Sequence, residues 1–169
     1  MHQIDYKICQ TTAKECYAGK TMPDGSSMLD HCVRLSNIFA RMRCYEIAAI
    51  ALLHEVLPNK IMTVEELIKL TVFSPVVHAS NFMIQRQDET CIDYIVRLSQ
   101  DPAAASVKAV DLPEHMLMGC TERELREYQH SFLLLSGWAP RNMMVDAVYD
   151  HLEVPKQMRG YGPEYEENE

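Results

Sequence analysis

The sequence predicts an all-α protein, and three observations support this fold class. The stretch EIAAIALLHEVLPN, from Glu46 to Asn59, is apolar on every side between Ile47 and Leu53, as expected for a helix that is buried all round. Helix start signals recur along the chain, mostly as capping boxes or as a polar cap followed by proline. No segment combines sustained period-two alternation with hairpin turn signals. We therefore expect about eight or nine helices in a single multi-helix domain.

The first part of the chain contains three predicted helices. An amphipathic helix from Ile4 to Tyr17 ends at Gly19. After a turn at residues 23–27, a second helix has an apolar face that recurs in steps of four and three residues. This face comprises Met28, Cys32, Leu35, Phe39 and Met42. His31 lies off this narrow stripe. The third helix is the buried one, and Pro58 is expected to stop it.

The rest of the chain carries six further helix start signals. They lie at Thr63, Ser74, Thr90, Asp101, Thr121 and Pro140. Pro113 is expected to end the apolar pattern that follows Asp101, and Gly137 to close the helix that follows Thr121. We expect residues 1–153 to form the helical domain. Residues 154–169 are acidic and are predicted to be a flexible tail.

Composition and charge exclude several classes of function. The net charge of −8 argues against binding to nucleic-acid polymers, which requires a basic face. No apolar run is long enough to span a bilayer, and the N-terminus lacks the regions of a signal peptide. The six cysteines form no C-x-x-C pair, so we expect them to be reduced core residues. A cytoplasmic protein without membrane contact is predicted, and its oligomeric state is left open.

Ionisable residues occur at the ends of predicted core helices, where an unpaired charge would be costly. His54 and Glu55 end the buried helix, His31 lies on the second helix, and Asp111 follows an apolar segment. Taken singly, a helical histidine is more often hydrogen-bonded or exposed, and an aspartate before a proline can be a turn residue. Together, two imidazoles and two carboxylates suit a divalent cation. The lack of thiolates favours Mn²⁺ over Zn²⁺.

The spacing of these residues resembles the H…HD…D pattern of the HD-domain metal-dependent phosphohydrolases. It is most similar to the hydrolase domain of the RelA/SpoT alarmone enzymes. Residues 17–31 keep Gly19, Gly25 and His31 in the register of that family, residues 50–59 correspond to its AALLHDVVED, and residues 107–116 to its VKLADRLHNM. The resemblance extends from about residue 12 to residue 135 and implies an all-α HD-type domain. It also implies that His31, His54, Glu55 and Asp111 converge as metal ligands.

Several positions depart from the family pattern. Glu55 replaces the metal-binding aspartate, which moves the carboxylate outward by about 1.5 Å, one C–C bond. Pro58 and Asn59 replace a Glu-Asp pair, and neither can act as a general acid or base. Met22 stands where the family has an arginine that stacks on guanine, and His115 where it has asparagine. These changes argue against guanosine tetraphosphate as the substrate.

Two functions from different classes remain open. The resemblance implies a metal-dependent phosphohydrolase that acts on a nucleotide or other small phosphate ester through a metal-activated water. His115 would be a further catalytic or phosphate-binding residue, and Lys108 and Lys20 would bind substrate. The alternative is a catalytically degenerate domain that binds a ligand or a regulatory partner. We favour the enzyme, because a domain kept only for its fold could replace buried ligands by apolar residues at little cost.

Overall fold

The computed structural model describes residues 3–70 and 74–138, except for the side chains of residues 3, 4 and 136–138. This part of the chain contains eight α-helices and no β-strand, which confirms the all-α prediction. None of these helices is both long enough and apolar enough to cross a membrane. The helix predicted from Pro140 and the predicted tail at 154–169 lie outside the described residues.

The chain divides into two compact units, one ending at Glu89 and the other beginning at Thr90. The first unit contains α1 (Gln3–Cys16), α2 (Met28–Arg41), α3 (Tyr45–Leu53), α4 (Val64–Leu70) and α5 (Ser74–Phe82). The second contains α6 (Cys91–Leu98), α7 (Pro102–Leu117) and α8 (Glu122–Trp138). The prediction of one domain over residues 1–153 stays a prediction.

The buried helix of the sequence is α3, which forms the centre of the first unit. Helices α1, α2 and α5 all pack against it, and the residues from Ala48 to Leu53 are buried. Its end differs from the prediction, because the regular helix stops at Leu53 and His54 is its C-cap. Turns then continue to Lys60, so the last helical residue, Leu53, lies five residues before Pro58. The end of the core helix therefore places His54 and Glu55 side by side in a turn.

A buried hydroxyl connects the three helices at this centre. Ser36 of α2 donates a 2.7 Å hydrogen bond to the backbone oxygen of Ala48 in α3. Its Oγ also lies 2.7 Å from the Tyr6 hydroxyl of α1. These bonds help to fix the position of α2 against α3. His31 lies on α2 and His54 caps α3, so the same packing positions both histidines.

The local start signals predict the observed helix starts well. Thr63 and Glu66 form the reciprocal capping box, with backbone-to-side-chain bonds of 2.8 and 3.2 Å. Ser27 caps α2 by accepting a hydrogen bond from the Asp30 amide at 3.2 Å. Asp101 caps α7 by accepting from two successive amides, each at 2.9 Å. The start signals predicted at Thr63 and Asp101 are confirmed.

The second unit is organised around α8, which contacts both α6 and α7. The prediction that Pro113 ends the helical pattern is wrong, since α7 runs through Pro113 to Leu117. The residues Val107, Val110 and Leu112 are buried on this helix, and this burial offsets the backbone hydrogen bond that proline cannot donate. Asp111 is therefore a helical residue and not part of a turn.

Candidate metal centre

Helix α2 buries His31 completely, although this residue lies off the predicted apolar stripe. It precedes Cys32, which belongs to the stripe, and α2 packs closely against α3. The buried face of α2 is therefore wider than the stripe, because a helix packed on several neighbours covers more than one row of its residues. The imidazole of His31 consequently faces the interior of the first unit.

The hydrogen bonding of His54 determines which of its ring nitrogens can bind a ligand. Nδ1 lies 2.7 Å from the backbone oxygen of Ala51. Because a carbonyl oxygen can only accept, Nδ1 is the donor, and Nε2 of the neutral ring then presents its lone pair. An imidazole bonded in this way through one nitrogen is the usual arrangement of a metal-binding histidine.

Three potential ligand atoms meet at this nitrogen. Nε2 of His31 lies 3.4 Å from Nε2 of His54, and Oε1 of Glu55 lies 3.1 Å from the same atom. Ligands bound to one ion at about 2.1 Å stand about 3.0 Å apart at right angles and about 3.4 Å apart at the tetrahedral angle. The observed spacings match these values. The first unit thus contains a cluster of two histidines and a carboxylate that could hold a divalent cation.

Glu55 is oriented by a residue that the sequence did not single out for this role. The side-chain amide of Asn59 donates to the backbone oxygen of Glu55 at 3.0 Å and also to Oε2 of its carboxylate. With Oε2 held there, Oε1 points toward His54. The sequence-level signal was the i,i+4 spacing of Glu55 and Asn59, which brings the two side chains to one side of a helical turn.

Tyr17 and Cys32 lie beside this cluster. The Sγ atom of Cys32 is 3.8 Å from Nδ1 of His54. The Tyr17 hydroxyl is buried and makes no hydrogen bond of normal geometry within the described residues. Burial, followed by the neighbouring Cys32 thiol and the charge of Glu55, raises the pKa of Tyr17 well above its usual value. Tyr17 is therefore a neutral phenol, and it contributes no charge to the cluster.

The second unit surrounds the buried carboxylate of Asp111 with basic groups. Nζ of Lys108 lies 2.6 Å from Oδ2, so these two residues of α7 form a salt bridge. Nε2 of His115 lies 3.1 Å from Oδ1, at an angle that does not make a hydrogen bond. The ring of His115 also lies 5.7 Å from that of Tyr128. A buried charge of this kind requires such partners, because desolvation would otherwise be prohibitive.

The predicted site residues belong to both units of the chain. His31, His54 and Glu55 come together in the first unit, and Asp111, Lys108 and His115 come together in the second. Lys20 is exposed, and its backbone bonds to Tyr17 and Met28 in the loop before α2. The convergence of all four predicted metal ligands and the roles of Lys20, Lys108 and His115 in binding substrate stay predictions.

Comparisons with known proteins define the class of fold. No protein-family model matches the chain, and no curated protein sequence matches it. A solved structure described as "A metazoan ortholog of SpoT hydrolyzes ppGpp and plays a role in starvation responses" is similar, with a TM-score of 0.65. The match covers 92% of this chain and 99% of the other, at 15% sequence identity. The chain therefore has an all-α HD-type fold.

Proposed function

We propose that the protein is a metal-dependent phosphohydrolase of the HD type, acting on a nucleotide or another small phosphate ester. The observation that supports this most directly is the spacing of Nε2 of His31, Nε2 of His54 and Oε1 of Glu55, at 3.4 and 3.1 Å. Three such groups repel one another unless a cation or a proton lies among them. Mn²⁺ is the proposed ion, because imidazole and carboxylate ligands without thiolates suit it.

We propose Asp111 as the fourth ligand of this ion. Its carboxylate is completely buried, and a buried aspartate is rare without a pairing or coordinating role. The resemblance of residues 107–116 to the last metal-binding block of the family supports the same role. His31, His54, Glu55 and Asp111 would then supply two nitrogen and two carboxylate ligands and leave further coordination positions open.

The residues around Asp111 suit the binding of a phosphate group. Lys108 and His115 each place a side-chain nitrogen close to one buried carboxylate, at 2.6 and 3.1 Å. A phosphoryl oxygen near this carboxylate would find an ammonium and an imidazole within hydrogen-bonding reach. Lys20 is proposed to bind substrate as well, from its exposed position in the loop before α2. When bound, the divalent cation would supply Lewis acidity and lower the pKa of a water molecule.

The chemical class of the substrate follows from the neighbour and from one buried residue. The similar structure is described as that of a protein that hydrolyses ppGpp, so a nucleotide is the first class to test. Met22, at the position of the family's guanine-stacking arginine, is only 4% exposed. A methionine lacks the planar guanidinium with which that arginine stacks, so we propose that any base is recognised by other residues. We therefore propose a nucleotide or small phosphate ester other than guanosine tetraphosphate.

A second candidate function is a binding module without turnover. Pro58 and Asn59 replace the acidic pair of the family, and the amide of Asn59 is already bonded to Glu55. No carboxylate remains at these two positions to act as a general base. We favour the enzyme, because a metal-activated water can hydrolyse an ester without a separate protein base.

We also propose a cytoplasmic location and a small phosphorylated ligand as the partner. All six cysteines are free thiols, which is typical of a reducing compartment and supports a cytoplasmic location. The net charge of −8 disfavours a nucleic-acid polymer as a partner, and we propose a small phosphorylated ligand on the basis of the fold and the candidate metal centre. Membrane contact is not part of the proposal.

Metal content and hydrolysis together test the proposed function. Protein purified without chelator is compared with His54→Ala, Asp111→Ala and the control His130→Ala, which removes an exposed imidazole of α8. We expect bound metal and Mn²⁺-dependent release of phosphate or pyrophosphate from a panel of nucleotides in the wild type and the control only. Equal metal content in all four proteins would contradict the proposed metal site. If no ester is hydrolysed while a nucleotide raises the melting temperature, the binding module replaces the enzyme.

A further inference from the structure

We infer that Asn59 is a positioning residue that holds the Glu55 carboxylate in the orientation required to bind the metal ion. This inference rests on the proposed function, because it concerns the ligand set of the same site. The observation that carries it is the pair of bonds from one side-chain amide to Glu55, to its backbone oxygen and to its carboxylate Oε2.

Glu55 needs such a partner because its side chain is long and lies at the edge of the core. Its side chain is 13% exposed, whereas that of His54 is 2% exposed. A glutamate loses considerable rotamer entropy when it is held in one orientation, and water at the edge competes for its oxygens. A contact on Oε2 therefore helps to keep Oε1 directed toward His54. The amide of Asn59 restrains the other end of the carboxylate and so restrains Oε1 as well.

The backbone around Asn59 holds the amide in place. The backbone nitrogen of Asn59 donates to the Glu55 oxygen at 3.2 Å, and its side chain donates to the same oxygen at 3.0 Å. The next residue, Lys60, has a φ of 55°, which lies in the left-handed region. Its backbone amide donates to the backbone oxygen of Leu57 at 3.0 Å. These hydrogen bonds close the turn after α3 and hold the Asn59 amide within hydrogen-bonding distance of the Glu55 carboxylate.

The chemistry of the contact requires an amide. Nδ2 of asparagine is a donor, so it can satisfy a carboxylate oxygen without neutralising the charge that the metal needs. An aspartate at position 59 would replace this donor by a second negative charge next to Oε2, and the two carboxylates would repel. An alanine would remove this donor from Oε2. The presence of Asn59 therefore suits the longer glutamate at position 55.

The test is a titration of the full-length protein with Mn²⁺, measured by calorimetry or by electron paramagnetic resonance. Loss of a group that orients a metal ligand commonly weakens metal affinity by about 10- to 100-fold, so we expect at least about a tenfold loss in Asn59→Ala. A larger loss is expected in Asn59→Asp. The matched control Asn81→Ala removes the same amide from an exposed position of α5 and should bind as the wild type does.

A second background separates positioning from a general structural effect. In Glu55→Asp the side chain is shorter by one C–C bond, about 1.5 Å, so we expect its carboxylate to lose the contact with Asn59 when it faces His54. Adding Asn59→Ala to this background should therefore change the affinity by no more than about twofold, the usual limit for uncoupled sites. A loss as large as in the wild-type background would show a merely structural role and overturn the inference.

The single variants distinguish this inference from the proposed function. If His54→Ala abolishes Mn²⁺ binding while Asn59→Ala and Asn59→Asp bind as the wild type does, the inference alone is overturned. If the wild type and His54→Ala bind equally, the metal site itself is absent and both proposals are overturned. Thermal melts of each variant establish that the compared proteins are folded.

Discussion

At the scale of the residue, the Ser36 hydroxyl makes a contribution to stability that can be measured directly. It bonds the Ala48 oxygen at 2.7 Å and also contacts the Tyr6 hydroxyl, in a buried position. Ser36→Ala should lower the free energy of unfolding by about 1–3 kcal/mol, because two buried polar groups lose a partner. Urea denaturation measures this change.

The control for this prediction is Ser106→Ala. Ser106 also donates to a backbone oxygen at 2.7 Å, that of Pro102, but in an exposed position where water can replace it. Its loss should change stability by less than about 0.5 kcal/mol. Equal effects of the two substitutions would contradict the role given to Ser36.

Cys9 predicts how stability depends on pH. Burial, followed by the charge of Asp5, raises the pKa of the Cys9 thiol from 9.0 to about 11. The unfolded state therefore loses this proton at a lower pH than the folded state does. The stabilisation is fully present below pH 9 and is lost as the pH rises toward 11. Over this interval the free energy of unfolding should fall by up to about 3 kcal/mol on account of this one group.

The measurement compares the wild type with Cys9→Ala between pH 8 and about 11, because the other titrating groups are common to both proteins. The difference in their free energies of unfolding should shrink or change in favour of the variant as the pH rises. Cys44→Ala, which changes a half-buried cysteine, is the control. A pH-independent difference between the wild type and Cys9→Ala would refute this prediction.

The candidate site shows which residue-scale features could be predicted. The ligand residues His31, His54 and Glu55 were recognisable from their types and spacing, since these are written in the chain itself. The role of Asn59 could not be predicted from the sequence. The comparison with the family pattern shows that an acidic residue is missing at this position, but it does not show what the asparagine amide contacts. Only the turn after α3 brings that amide to the Glu55 carboxylate.

At the scale of the element, Pro113 within α7 leads to a prediction about helix stability. Proline in a helix interior costs about 3 kcal/mol relative to alanine, through the missing donor and the clash of its ring. Because α7 nevertheless continues to Leu117, packing of its buried face outweighs this cost. Pro113→Ala should therefore raise the free energy of unfolding by about 1–3 kcal/mol, which a thermal or urea melt measures.

Pro102 is the matched control in the same helix. It occupies the first turn of α7, where the amide would have no helical partner in any case. Pro102→Ala should leave stability within about 0.5 kcal/mol of the wild type. A destabilised Pro113→Ala would mean that the proline relieves a constraint and does not impose one.

Helix starts were predicted more accurately than helix ends. The caps at Thr63, Thr90 and Asp101 all accept hydrogen bonds from amides two or three residues later. Such bonds depend only on residues within one turn, so the sequence suffices to predict them. The end of α3 at His54 precedes the expected stop at Pro58 by a few residues, and the predicted end of α7 at Pro113 is wrong. Packing against other helices influences both ends.

At the scale of the whole molecule, binding of the proposed cation should be coupled to folding. A ligand that binds only the folded protein at 100 times its dissociation constant stabilises it by about 2.7 kcal/mol. Mn²⁺ should therefore raise the melting temperature of the wild type, and a chelator should reverse the increase. His130→Ala should respond as the wild type does, and His54→Ala should not respond. A shift of the same size in His54→Ala would assign the stabilisation to another site.

The sequence by itself determined the all-α class, the helix starts, the burial of α3 and the types of residue at the candidate metal centre. Each of these depends on neighbours within about one helical turn or on a hydrophobic period, and both are local properties. The tertiary structure decided the burial of His31, the passage of α7 through Pro113, and the contact of Asn59 with Glu55. It also decided the 3.4 Å spacing of the two imidazoles, because α2 and α3 are separate elements. The distance between groups on different helices is set by how their side chains pack, and no local pattern encodes it.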